Sequence, residues 1–283
     1  MLVTADELLQ DAQAGTYAVG AFNIESLEFV MAVLRAAEER TSPVIMQTTP
    51  GTVAYAGLDY YAAMVGAAAK NARIPVALHL DHGDSFERCV AAMHAGYTSV
   101  MIDGSRLPFE DNIALTADVA RVARAVGVPV EAELGKVGGK EDDGPAVTGE
   151  NPYTDPDEAA EFVERTGCTS LAIGVGTSHG VYTGTPHIAQ DVVRAIRNRV
   201  DAPLVLHGTS GVPDEQVAEA IAHGICKVNY ATELRQAYTR GFMDYMAAHP
   251  ACFDPKKPNA RAMDEIVAVV AHHMDNLGSS GKA

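Results

Sequence analysis

The feature that most constrains this chain is a rhythm. Short β-branched runs alternate with alanine-rich amphipathic stretches along 283 residues. The runs cover Ala18–Ile24, Pro43–Thr49, Pro75–Gly83, Ser99–Ser105, Val128–Gly135, Ser170–Gly176, Pro203–Thr209 and Ile225–Thr232. Helical stretches such as Leu27–Arg40, Ser85–Ala95, Phe109–Val126, Asp155–Thr166 and Asp214–His223 fall between them. Strands separated by helices pair in parallel, because the helix carries the chain back to the same end of the sheet. Eight such units predict an α/β fold, a closed (β/α)8 TIM barrel. No glycine-rich dinucleotide fingerprint follows the first run, which disfavours an open doubly wound sheet. Pro43, Pro75, Pro129 and Pro203 mark strand starts, where a missing N–H is tolerated. Gly96, Gly127, Gly167 and Gly224 follow helices, where glycine readily closes the last turn. No linker interrupts the pattern, so a single catalytic domain is expected over residues 1–283, with 278–283 as a frayed tail.

Charge and composition exclude several function classes. The formal net charge is −16, and such a surface repels nucleic acid and anionic membrane alike. No apolar run reaches the roughly 18–20 residues that span a bilayer. The first residues, Met1 to Glu7, lack a basic segment followed by an apolar one, so a cytoplasmic location is expected. Cys89, Cys168, Cys226 and Cys252 lie far apart with no C-x-x-C spacing. They read as reduced thiols rather than disulfides or a thiolate metal site.

In a parallel barrel, chemistry sits at the C-terminal ends of the strands. Those ends carry Asn23, Thr48 and Thr49, Asp81 and His82, Asp103, Glu133, His179, His207 and Gly208, and Asn229. His82, His179 and His207 come from three different units. Three imidazoles with open coordination positions suit catalytic Zn2+. Asp81 adjoins one of them, as a general acid or base or as an orienting partner. Asp103 and Glu133 either form an alternative metal position or hold the histidines. The other seven histidines, His79, His94, His187, His223, His249, His272 and His273, read as structural or solvated; His79 is the one that could point into the barrel.

An acidic protein that binds phosphate must do so locally. The turn Gly208-Thr209-Ser210-Gly211 offers N–H groups and a hydroxyl, and Asn229-Tyr230-Ala231-Thr232 opens a helix whose N-terminus favours an anion. Gly135 to Asp155 shows no clear element and reads as a mobile active-site loop.

These pieces together resemble the class II fructose- and tagatose-bisphosphate aldolases over nearly the whole chain. The resemblance rests on Ala21-Phe22-Asn23, Leu78 to Gly83, Val100 to Ser105, Glu131 to Gly135, Gly138 to Asp142, Gly176 to Gly180, Leu206-His207-Gly208 and Lys227-Val228-Asn229, in that order. It implies Zn2+ on His82, His179 and His207, with Asp103 and Glu133 at a second metal position. It implies that Asp81 donates the proton to the C4 oxygen and that Glu141 shuttles the proton of dihydroxyacetone phosphate. It places the substrate on Asn23, Gly180, Gly208, Thr209, Ser210 and Asn229 to Thr232, with a Na+ or K+ ion nearby. The expected substrate is a phosphorylated sugar, fructose 1,6-bisphosphate or alternatively tagatose 1,6-bisphosphate, and the expected assembly is a homodimer or homotetramer.

Retro-aldol cleavage leaves an enediolate, which either a lysine Schiff base or a metal must stabilise. Lys136, Lys140 and Lys227 do not read as lysines embedded at an apolar strand end, which favours the metal. Thr209 stands where glycine is common in the family and Thr183 where lysine is common. They motivate a different phosphorylated ketose as a second hypothesis. A non-catalytic accessory subunit is the third. Lys256, Lys257 and Arg261 are the expected candidates for a second phosphate.

Overall fold

Side chains of a strand alternate between its two faces. Here both faces are buried, and the two sides differ in chemistry. The protein is described by a computed structural model covering residues 1–135, 137–139, 153–180, 182, 184 and 186–283. Its strands are β1 (Val19–Asn23), β2 (Val44–Thr48), β3 (Val76–Gly83), β4 (Ser99–Ile102), β5 (Val130–Leu134), β6 (Gly138–Gly139), β7 (Ser170–Ile173), β8 (Ser178–His179), β9 (Leu204–Leu206) and β10 (Ile225–Tyr230). Eight of them close into a parallel barrel in the order β1-β2-β3-β4-β5-β7-β9-β10, with β10 returning to β1. The eight expected runs therefore form the expected barrel, each strand ending at or inside its predicted bounds.

Outward side chains such as Phe22, Met46, Leu78, Leu80, Val100 and Leu171 join one apolar cluster with the surrounding helices. Inward positions divide by height. At the N-terminal end, Val19, Ala21, Ile45, Ala77 and Cys226 pack against Ala5, Leu8, Leu9 and Ala12 of the helix Ala5–Gly15. That helix stoppers the barrel floor. Periodicity does not single it out, although Glu7 accepts hydrogen bonds from the Thr4 N–H and hydroxyl, a capping-box signal. Above this floor the inward residues turn polar: His79, Ser99, Glu131 and Lys227, then Asn23, Gln47, Asp81, Glu133, His207 and Asn229, all buried.

Two expectations need correction. The stretch after Gly135 is not wholly without structure, because Gly138–Gly139 pairs in parallel with Ser178–His179. A Cβ at Gly138 would come within 2.5 Å of Ser178 Oγ, which explains a small residue there. Residues 140–152, with most of the proposed loop, lie outside the described residues. The end of the chain is not frayed. Gly281 N–H and Ala283 N–H donate to the Arg40 and Thr41 carbonyls, and the hydroxyl of fully buried Ser279 meets that of Ser42 at 2.8 Å.

Among the described residues, no helix is long and apolar enough to cross a membrane. The helix Lys256–Asn276 packs along Leu27–Arg40, with Arg35 paired to Asp264 at 2.6 Å. Deleting residues 279–283 should lower stability by about 1–3 kcal/mol through the lost buried hydrogen bonds. A lower urea midpoint at unchanged slope checks this.

Candidate active site

The site begins with a kink. His82 has φ +47°, in the left-handed region that a non-glycine residue rarely adopts. The β3–β4 register shifts at this point, between Leu80 and Gly83. Gly83 is constrained too, since a Cβ there would lie 2.3 Å from the Met101 carbonyl oxygen. The kink breaks the alternation of β3, so that Asp81 and the next residue, His82, both serve the barrel mouth.

His82, His179 and His207 come together as expected. One ring nitrogen from each lies within 4.8 Å of the others. Asp103 Oδ2 sits 2.9 Å from His82 Nδ1, so Nε2 is the atom through which His82 would ligate a metal. Glu131 Oε1 sits 2.9 Å from His207 Nε2, which leaves Nδ1 for that role. His207 Nδ1 and Glu133 Oε2 are buried 3.3 Å apart, and neither makes a hydrogen bond among the described residues. Two buried electron-rich atoms facing each other suit a cation between them. Three imidazoles with adjacent carboxylates fit a divalent transition metal. His82, Asp103 and Glu133 form a second such group.

The charges below this cluster explain its state. Contrary to the expectation that it is not embedded, Lys227 is fully buried in the barrel interior, where its Nζ lies 2.9 Å from Glu131 Oε2. Burial opposes ionisation of Glu131, but Lys227 and His207 hold its carboxyl far below the usual range. His79 lies 3.6 Å from the same carboxylate and bonds Ser99 through Nδ1. Burial and the Lys227 charge keep its pKa well below normal. Burial also opposes a charge on His207, yet its hydrogen bond to Glu131 and the adjacent Glu133 carboxylate raise its pKa to about 9. Asp103 resists burial through its contact with His82 and stays far below the usual carboxylate range. Glu133 is pushed up, first by burial and then by the Asp103 charge.

Asp81 is held from two sides. Gln47 Nε2 donates to Oδ2 at 2.9 Å and Asn229 Nδ2 to Oδ1 at 3.0 Å. Gln47 also donates to Asn23 Oδ1 at 2.8 Å. Asp81 faces a cavity lined by His179, Gly180, Asn23, Asn229, Gly208, Thr209, Ser210, Ala231, Thr232 and Arg235. The turn 208–211 forms one wall. Gly208, at φ +66°, packs so closely on the Ser178 backbone that a Cβ would lie 2.7 Å away. Tyr182 clamps it: its hydroxyl accepts from Ser178 N–H and donates to the Gly208 carbonyl at 2.6 Å. The Thr209 hydroxyl donates to the Asn229 carbonyl, so the unusual threonine pins the turn instead of crowding it.

Not every expected residue faces this cavity. Tyr230 turns outward, stacked between Phe22 and His273. Glu141, Lys136, Lys140 and Thr183 lie outside the described residues. Lys256, Lys257 and Arg261 do not line the cavity; Lys256 pairs with Asp254 and Arg261 with Glu265 on an outer helix. Among the described residues the cation lining it is Arg235, whose side chain also contacts Glu25 at 2.6 Å. Periodicity gave no signal for Arg235, which stands one turn into the helix Thr232–Ala248. Gln47 and Glu131 were legible only as inward strand positions.

The profile described as fructose-bisphosphate aldolase class-II matches residues 3–282. The chain belongs to the class II fructose-bisphosphate aldolase family. It is 46% identical over 286 residues to a fructose-bisphosphate aldolase of Geobacillus stearothermophilus, covering 100% of this chain and 99% of that one. Among solved structures, the YdjI aldolase of Escherichia coli K12 matches with a TM-score of 0.89, 38% identity and full coverage of both chains. A putative fructose-1,6-bisphosphate aldolase of Coccidioides immitis matches with a TM-score of 0.87 and 29% identity, over 98% of this chain and 96% of that one. As a member of this family the protein is an aldolase, a carbon–carbon lyase, and metal dependence is a family property.

The interior ion pair carries a testable cost. Lys227→Met leaves Glu131 buried without its cation and should destabilise the fold by about 3–5 kcal/mol. Adding Glu131→Gln should recover part of that loss. Chemical denaturation of the two single variants and the double variant measures the coupling.

Proposed function

We propose that this protein is a zinc-dependent aldolase that reversibly cleaves fructose 1,6-bisphosphate to dihydroxyacetone phosphate and glyceraldehyde 3-phosphate. The observation carrying this reading is the place of Asp81. Its carboxylate lines one cavity together with His179 of the metal cluster and the glycine turn at the helix N-terminus. A metal group, an acid–base group and an anion site within one wall are what retro-aldol cleavage of a phosphorylated ketose requires.

Zn2+ held by His82, His179 and His207 would supply a Lewis acid for the negative charge that develops on the ketose oxygen. Asp103 and Glu133 are proposed for a second metal position. Asp81 exchanges the proton of the C4 oxygen, and its two amide donors fix the carboxylate toward the cavity. Glu141 is proposed to move the proton at the dihydroxyacetone phosphate carbon. The N–H groups of Gly208 to Ser210 and of the Thr232 helix end take the first phosphate, with a Na+ or K+ ion nearby. Arg235 is the proposed partner of the second phosphate, replacing the lysines of the outer helix. Tagatose 1,6-bisphosphate is the alternative substrate, differing only in configuration at C4, the centre beside Asp81.

Chelation with EDTA should abolish cleavage and Zn2+ should restore it, while borohydride with substrate should trap no adduct. Asp81→Asn should lower kcat by about 10²–10⁴-fold with bound zinc unchanged. Turnover after complete metal removal would sink this reading. Arg235→Gln should raise KM for the bisphosphate about tenfold and leave phosphate affinity at the first site unchanged. Parallel kinetics on fructose and tagatose 1,6-bisphosphates decide between the two sugars.

A further inference from the structure

The turn 208–211 is tied at its far end to the outer C-terminal helix. The Gly211 N–H donates to Glu233 Oε1 at 2.7 Å. Glu233 Oε2 is hydrogen-bonded to Nε2 of His273, which is 6% exposed near the end of the helix Lys256–Asn276. The His273 ring lies 3.7 Å from the Tyr230 ring at 17°, and Tyr230 in turn stacks on Phe22 of β1. The next-door His272 meets Asp214, the first residue of the helix after the turn, at 3.0 Å.

An anion site made of backbone N–H groups works only while those groups converge on one point. Gly211, at φ +89°, has no side chain to hold it there. Tyr182 and Thr209 fix the near end of the turn. Glu233 fixes the far end by engaging the Gly211 N–H directly. A bare carboxylate there would repel a bound phosphate. Burial opposes its charge, but the His273 hydrogen bond and the Gly211 N–H hold Glu233 ionised, below its usual pKa. His273 thus engages the second oxygen of the anchor, leaving the first for the Gly211 N–H.

We infer that Glu233 and His273 are a positioning pair for the phosphate-binding turn, so that phosphate affinity is set partly from the outer C-terminal helix. This rests on the aldolase reading for the identity of the substrate, but not for the binding measurement. The probe is inorganic phosphate, titrated calorimetrically into the full-length metal-loaded protein, alongside KM and kcat for fructose 1,6-bisphosphate. Glu233→Ala should raise the phosphate Kd and KM about tenfold with kcat within about threefold. Glu233→Gln keeps an oxygen for Gly211 and should stay within about twofold of the parent. His273→Phe keeps the stack on Tyr230 but removes the donor, and should weaken phosphate at least about threefold. Unchanged phosphate affinity in Glu233→Ala and His273→Phe overturns the inference. So does a loss in Glu233→Gln equal to that in Glu233→Ala, because the acceptor oxygen would then not be what matters. If Glu233→Ala does not fold, the His273→Phe and Glu233→Gln pair decides alone. Absence of turnover on any sugar bisphosphate with intact phosphate binding would instead count against the aldolase substrate.

Discussion

The Glu131 carboxylate at the barrel axis is the contact on which the site depends. A charge in that position is tolerated only with partners, and it has three: Lys227, His207 and, more distantly, His79. Lys227 keeps Glu131 ionised. Ionised Glu131 accepts a hydrogen bond from the Nε2–H of His207, which leaves Nδ1 facing the metal cluster. The same ammonium disfavours a proton on His79, which stays neutral. One buried ion pair therefore sets the tautomer of a ligand one layer above it. It also gives Lys227 a role other than covalent catalysis, since its Nζ is engaged with a carboxylate at 2.9 Å.

Above that layer the polar groups are arranged by strand parity and by one break in it. β5 sends Glu131 to the middle layer and Glu133 to the mouth simply by alternation. β3 would do the same with His79 and Asp81, and the left-handed backbone at His82 adds a third group at the same end. Left-handed strain at a site residue needs support from its surroundings. The Gly83 contact with Met101 and the Asp103 hydrogen bond to His82 supply it.

Much of this was legible in the sequence, for a physical reason. A β/α repeat announces itself by period, and the fold then dictates that polar strand ends share one mouth; Asp81, His82 and His207 follow from that logic without any contact map. What period cannot carry is chain that leaves the repeat. His179, expected at a strand end, stands instead on a separate two-stranded ladder with Gly139, six residues beyond the end of β7. Arg235 belongs to a helix face, and Tyr182 to a loop whose tertiary contacts alone define it. Tyr230 was misassigned because it sits in the right segment with the wrong parity. The docked tail and the floor helix escaped because both are held by non-local packing rather than by their own pattern.

The floor helix also governs traffic. With Leu8 and Leu9 seated under β1, β2 and β3, and with charged side chains filling the middle, the barrel is a well rather than a pipe. Every reactant enters, and every product leaves, past the same rim.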